Sequence, residues 1–520
     1  MSSSEQHLSQ AALIWRQFRR RPLAVAAGSV IVALVTLSIW APFLAHDRPL
    51  YYRGVNRTEY REVIRTLREL AGRLPVTATA TTASGPAQSA ANRQTWTLIE
   101  LQCDLIRPSL PAGWQSWLDE WLRDLRSAQT SPDGATQLRE LQRTLRQELG
   151  GNDVTLVPRR RWPVIASLSW ADVFFMAWNV ALLTAWAWWP AINRAFPPPR
   201  RRLRRFALFL CWIGIPAMCA AAWWWCVPAR IDRTNYKAGV LAGDTAAATV
   251  LYETVTWPPI PYGIDENVLS NTSLKPAFWK EEPDRRPPQL GMWDKPHWLG
   301  TDELGRDVLC RMIWGGRVSL AVGIVAVSIY VTIGIVVGAL AGYFRGVCDL
   351  IISRLIEVVI CFPAFFLILT IVAFIGPGLF NIMVVIGLTG WTSIARLVRG
   401  EFLRLVDQEF VLAGRALGYT PLRLIFRHIL PNAMAPVLVS ATFGVAGAIL
   451  TESSLSFLGL GIKPPMSSWG NMLHSGRDAI FRAPWMILFP GLAIFVTITC
   501  YNLVGEALRD AADPRLRGSR

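Results

Sequence analysis

The chain is poor in residues placed for bond-making chemistry and richer in residues placed for binding. It has only five lysines, Lys237, Lys275, Lys280, Lys295 and Lys463. None follows a glycine, so the G-x-x-x-x-G-K-[ST] loop that cradles nucleotide phosphates does not occur. His428 and His474 stand isolated, and the eight cysteines show no paired spacing, so neither a metal centre nor a disulfide framework is expected. No residue is assigned a catalytic role. Two acids, Glu357 and Glu452, sit within or beside apolar runs, where an ionisable group must face protein, water or a partner. Each is a candidate for a solute path or for a structural intramembrane group.

The richest stretch is Phe410 to Asn432, FVLAGRALGYTPLRLIFRHILPN, an Arg-rich island between two long apolar runs. Its chemistry is that of a docking surface. Ala413 and Gly414 let another backbone approach closely, and Gly418 ends or kinks a short helix. Pro421 opens the following helix, where a missing N–H costs little. Pro431 precedes the next apolar run. Arg415, Arg423 and Arg427 offer charge-assisted contacts to an acidic surface. On charge alone, a solvated basic loop is the plainer reading.

These residues need a membrane bundle to hold them. Of the 520 residues 52% are apolar and 17% charged, a balance that points to an integral membrane protein with one sizeable soluble region. The net charge of +16 does not argue for nucleic acid, because the arginines crowd the ends of apolar runs, as at Arg19-Arg20-Arg21 and Arg200-Arg201-Arg202. Eight segments have the roughly 20 apolar residues a membrane helix needs: 23–44, 168–190, 206–227, 319–341, 355–375, 379–398, 433–455 and 485–505. The first is read as a retained helix with a cytoplasmic N-terminus, and an even number of spans returns the C-terminus, rich in arginine, to the cytoplasm.

The organisation expected is an N-terminus and first helix (1–44), an extracytoplasmic insertion (45–167), an inserted membrane hairpin (168–230), an outer loop (231–318) and a membrane core (319–520) whose cytoplasmic loop spans 399–432. The insertion is expected to be mainly helical, with patches at 57–70 and 117–126 broken by a linker at 77–92; Trp117, Leu118, Trp121 and Leu125 share one face of the second patch. Asp172 and Asn179 share a face of the second span, where a structural hydrogen-bonding role is favoured over an ion path. Gly334, Gly338 and Gly342 make a small-x-x-x-small face suited to close helix packing.

Residues 297–320 read HWLGTDELGRDVLCRMIWGGRVSL, whose core is Gly300, Thr301, Asp302, Gly305, Arg306 and Asp307. The run continues through GYFRGVCDL, GPGLFN, SLSFLGLGIKPPMSSWGNML and NLVGEALRDAADPRLR. Together these motifs resemble the "C" permease subunit of dipeptide, oligopeptide and nickel ABC importers, nearly continuously over 297–517 and again at FRRRPLA, 18–24. The 410–432 island resembles the loop by which such subunits grip their ATPases, a pattern of Glu-Ala-Ala, three residues, Gly, nine residues, Ile, one residue and Leu-Pro. Here Leu412-Ala413-Gly414 stands at the triplet, Gly418 at the glycine, His428 at the isoleucine and Leu430-Pro431 at the end. Leu412 and His428 depart from the general pattern, though RHILPN is usual in the peptide branch.

The resemblance implies an all-α polytopic fold of the type I, MetI-like kind, with six family helices plus the inserted hairpin, in the bacterial inner membrane. It implies a homologous second permease, two ABC ATPases carrying ATP-Mg, an extracytoplasmic substrate-binding protein and surrounding lipid as partners, and no cofactor bound by this chain. The FLGLGIKPP segment with Trp469 is expected at the outer mouth. The rival reading is a membrane receptor or scaffold that uses the insertion and keeps a vestigial permease core. A self-contained ion-driven transporter is a third, against which the scarcity of acids in the spans argues.

Overall fold

The computed structural model describes residues 10–56, most of 94–144, 158–195, 201–227, 236–237, 250–266, 273–279, 295–463 and 465–512. The expected helix at 57–70, the linker at 77–92 and the last arginines fall outside the described residues.

Two helices open the chain, α1 (Gln10–Arg19) and α2 (Pro22–Ile39), the second started by a proline at its first position. In the insertion, α3 (Ala112–Thr130) covers the 117–126 patch and buries Leu118, Trp121, Leu122 and Leu125. The inserted hairpin consists of α4 (Trp170–Leu183), α5 (Ala185–Ala195) and α6 (Leu203–Cys226). The core follows: α7 (Val308–Phe344), α8 (Gly346–Ile360), α9 (Ala364–Ile375), α10 (Leu379–Leu405), α11 (Glu409–Ala416), α12 (Pro421–Phe457), α13 (Trp469–Gly476) and α14 (Trp485–Ala512).

Six of the described helices are long and apolar enough to cross a membrane, or up to eight if each of two bent pairs is one span. The expected spans 168–190 and 355–375 are therefore not straight. The first bends by 71° between α4 and α5, and the second by 80° between α8 and α9. At the second bend the cause is Pro363, which lacks an N–H and disfavours helical backbone at Phe362. At the first, Trp188 Nε1 donates to Ala181 O (2.9 Å), and the Thr184 hydroxyl adds a second bond to Val180 O (2.7 Å), which also accepts the Thr184 N–H.

The core helix expected at 319 begins at Val308, inside what the sequence assigned to the outer loop. Asp307 caps it by accepting from Cys310 N–H at 2.6 Å. The expected loop 399–432 is correspondingly shorter, because α10 runs on to Leu405 and α12 starts at Pro421.

The chain is mostly helical, as expected, and carries one small sheet. Strands β1 (Tyr51–Asn56), β2 (Pro158–Arg161) and β3 (Val250–Thr256) form a small antiparallel sheet in the order β2-β1-β3. Tyr52 pairs with Arg161 and with Val255, and Ala45 bridges Ile260 beside it. The Arg159-Arg160-Arg161 run, which reads as a membrane-flanking charge cluster, is a strand. The added sequence thus makes two excursions from one sheet, 57–157 between β1 and β2, and 162–249 between β2 and β3.

The core is knitted by backbone contact between α7 and α10. A Cβ added at Gly334 would lie 2.6 Å from Ile394 Cβ, one at Gly338 2.5 Å from Ala395 O, and one at Gly342 2.5 Å from Phe402 Cβ. The small-residue face is buried in protein, and no side chain fits there. Around it pack Tyr330, Val398, Phe402, Ile429, Val437 and Ile449. The junction of α1 and α2 meets the end of α14, where Arg21 pairs with Asp510 at 2.6 Å and Phe18 and Ala24 pack on Ala507.

Candidate functional site

The 410–432 island folds as a helix, a tight turn and a second helix. Helix α11 ends in a Schellman motif: Tyr419 N–H donates to Gly414 O at 3.0 Å and Gly418 N–H to Arg415 O at 2.9 Å. That motif needs a left-handed residue, and Gly418 supplies it with φ +74°. Pro421 then opens α12. Gly414 is buried, and a Cβ there would meet Leu424 Cδ2 at 2.8 Å, so its size lets the two helices close on each other.

Val411, Leu424, Ile425 and Ile429 anchor the element inward. Tyr419 stacks on His428 with ring centroids 5.5 Å apart, and the Arg423 guanidinium lies 3.9 Å from the Tyr419 ring centroid. Arg415 lies 5.6 Å from the Tyr343 ring centroid, linking α11 to the end of α7. His428 sits in a π-helical turn, Ile425–Ile429, ahead of Pro431, and its Nε2 is enclosed without a hydrogen-bond partner among the described residues. Outward, Leu417 is 71% exposed and Leu422 68%, with Phe426, Leu412 and Phe410 beside them in sequence. Ala413, Arg415 and Arg427 are exposed, whereas Leu430 is half-buried at the base of α12. Exposed leucines on a turn whose underside is packed and capped make an adhesive, pre-shaped surface. The neighbouring ion pairs Arg345–Asp407 (2.5 Å) and Arg399–Asp349 hold the flanking helix ends.

At the opposite end of α7 lies the Gly300–Asp307 motif, and it forms a structural knot. Asp302 accepts backbone N–H groups from Leu304 and Arg306 at 2.9 Å on one oxygen, and pairs with the Arg306 and Arg311 guanidiniums on the other. Thr301, fully buried, accepts from Lys275 N–H through its hydroxyl (2.8 Å) and from Trp485 Nε1 through its carbonyl (3.1 Å), tying the motif to the start of α14. Gly300 (φ +81°) and Gly305 (φ +75°) make the turns. Asp307 also contacts His297 Nδ1 at 2.7 Å, and that ring stacks on Tyr262.

A cavity of about 660 Å³ opens beside the knot, lined among others by Asp265, Glu303, Arg306, Pro465, His474 and Asp478. Burial pushes the Asp265 carboxyl above its ordinary value, with Arg306 and Arg311 pulling the other way. The FLGLGIKPP segment and Trp469 lie at this end, where Asn471 Nδ2 donates to Ile462 O at 2.7 Å.

The two intramembrane acids are not brought together. Glu357 is exposed and pairs with Arg354 at 2.6 Å, while Glu452 is fully buried among serine hydroxyls. The inserted hairpin docks on the core through Asn179, also fully buried, which accepts from Trp40 Nε1 and donates to Thr36 Oγ1, both at 3.1 Å. Asp172 closes a capping box with Ser169 and pairs with Arg317. Sequence reasoning missed Arg311, Tyr419 and the serines around Glu452. For Arg311 the signal was available, since an arginine three residues into an apolar helix must be paired.

The sequence profile of the family described as the inner membrane component of binding-protein-dependent transport systems matches residues 334–518, and that of the N-terminal membrane domain of oligopeptide transport permease C matches 9–58. The dipeptide transport system permease protein of Alkalihalophilus pseudofirmus is 42% identical over 42% of this chain and 73% of its own length. The chain belongs to the permease family of binding-protein-dependent transport systems. The oligopeptide transport system permease protein of Bacillus subtilis is likewise 42% identical, over 43% of this permease and 73% of its own length, and the glutathione transport system permease protein of Pectobacterium atrosepticum 42% identical over 42% and 73%. A solved methionine ABC transporter in inward-facing conformations overlays with a TM-score of 0.31 at 18% identity, covering 38% of this chain and 95% of that one, too loose a likeness to carry an argument. This permease is accordingly a helical, multi-span subunit of an ATP-driven importer in the bacterial inner membrane. It is not an enzyme, and ATP hydrolysis belongs to a separate subunit. The matched 9–58 and 334–518 bracket the added excursions.

Proposed function

We propose that the permease carries peptides or related solutes inward and takes its energy from ABC ATPases docked on the 409–424 turn. The peptide class is supported by the relatives' names, which include dipeptide, oligopeptide and glutathione permeases. The observation that carries the coupling reading is the turn itself: Leu417 and Leu422 exposed above a Schellman cap, with Arg415, Arg423 and Arg427 around them. Such a surface fits an apolar groove with an acidic rim.

In this reading Ala413, Gly414 and Gly418 shape the turn, Arg415 and Arg427 contact the ATPase, and His428, Leu430 and Pro431 fix the base of α12. ATP-Mg binds the two ATPases. Their closure pushes α11, and the motion passes into α10 and α12, which are packed on α7 as one body. A docked loop transmits energy only if it contacts the ATPase differently in the two states. A homologous second permease completes the pathway, and an extracytoplasmic binding protein delivers solute at the Gly300–Asp307 end. Both termini then lie in the cytoplasm with the turn, since Arg21 and Asp510 share one end of the bundle.

The test is uptake of a labelled dipeptide mixture by cells with and without this chain. Loss of ATP-dependent uptake without the chain is the expected result. Unchanged uptake of every di- and tripeptide tested, with loss of a non-peptide solute instead, would overturn the substrate class.

A further inference from the structure

Glu452 is fully buried near the end of α12, and among the described residues no basic side chain pairs with it. A buried carboxylate without a cation needs strong hydrogen-bond donors. Its donors are hydroxyls from two helices: Ser319 Oγ on α7 at 3.2 Å to one oxygen, and Ser456 Oγ on α12 at 2.7 Å to the other. The Ser468 hydroxyl, the N-cap of α13, also bonds it.

Each of the first two serines has a second task. Ser319 Oγ accepts Trp469 N–H, the first amide of α13, at 3.2 Å, and Ser456 Oγ accepts Ile462 N–H at 3.3 Å. A hydroxyl has one proton to give. Because Glu452 takes that proton from both, the hydroxyl lone pairs are left facing the two amides. The junction is tight: a Cβ on Gly470 would come within 2.6 Å of Ser453 Cα, and one on Gly461 within 2.2 Å of Ser456 Cα.

We propose that Glu452 is a positioning residue, whose carboxylate fixes the 462–476 segment onto α7 and α12 and so sets the His474, Ser475 and Asp478 wall of the 660 Å³ cavity. It works on the cavity without reaching it. The role is separate from ATPase docking, which lies at the other end of α7.

Hydrogen–deuterium exchange on the full chain in native-lipid discs tests this with Glu452→Ala and Glu452→Gln. In Glu452→Ala the amides of 462 and 469–472 exchange about tenfold faster or more, while those of 409–424 and α10 keep wild-type protection. Glu452→Gln falls between, because its single carbonyl oxygen serves one serine and not both. Ser319→Ala loosens 469–472 and spares 462, and Ser456→Ala does the reverse. Equal loosening of all segments would mean general destabilisation and overturn the proposal, as would wild-type exchange at 462–476 in Glu452→Ala. Retained ATPase co-purification in all four variants separates this outcome from any failure of the docking surface.

Discussion

Asp302 carries more of the Gly300–Asp307 knot than any other side chain. It is 2% exposed, takes two guanidiniums and two backbone amides, and its neighbour Arg311 is also buried, its Nε without a partner among the described residues beside a void of about 10 Å³, room for one water. Removing one partner of a buried ion pair leaves the other charge uncompensated, at a cost of about 3–5 kcal/mol. Asp302→Asn keeps the shape and loses the charge. It is expected to lower thermal stability by about that amount, which a melting curve of the purified chain in detergent would detect, and an unchanged melting point would refute the knot. Much at this scale was readable from the sequence. Gly418 announces a turn because few other residues tolerate its left-handed backbone, and Pro421 because it favours the first position of a helix. The cage of Glu452 could not be read, since Ser319, Ser456 and Ser468 are scattered along the chain and serines carry no periodic signal.

Elements were legible where one segment supplies its own evidence, and illegible where the evidence is split. The long core helices announce themselves by apolar length. The start of α7 was placed eleven residues late, because Arg311 and Arg317 dilute its hydropathy although Asp307 caps the helix at 308. The sheet left no readable trace: Pro158–Arg161 is three arginines and a proline, and becomes a strand only by pairing with Tyr51–Asn56 about a hundred residues away in sequence. The hairpin's attachment is polar. Asn179 bonds two groups of the first membrane helix region, Thr36 and Trp40, from a fully buried position. Asn179→Leu fills the space but strands the Trp40 N–H, at about 1–3 kcal/mol. Faster amide exchange in 170–183, with α10 unaffected, is the expected result, and unaltered protection of 170–183 would show that the Asp172–Arg317 pair and packing seat the hairpin without Asn179.

At the scale of the whole molecule, one tightly packed helical seam joins two ends. The glycine seam between α7 and α10 brings their backbones so close that neither can slide alone. The Gly300–Asp307 knot and Glu452 sit toward one end of α7, and the 409–424 turn sits at the other. The described parts of the added excursions attach through the β2-β1-β3 sheet and through Asn179 on the α2 region. This explains how a chain can accept so large an addition and keep a permease core.

The most direct test of the central claim is affinity purification of the chain from its native membranes, wild type against Leu417→Asp/Leu422→Asp. Both leucines are exposed, so the double variant leaves the fold intact while placing two charges on the docking face. The account predicts that ATPase subunits co-purify with wild type and fall at least tenfold in the variant, while a second permease is retained in both. Equal recovery of the ATPases with the variant would contradict it.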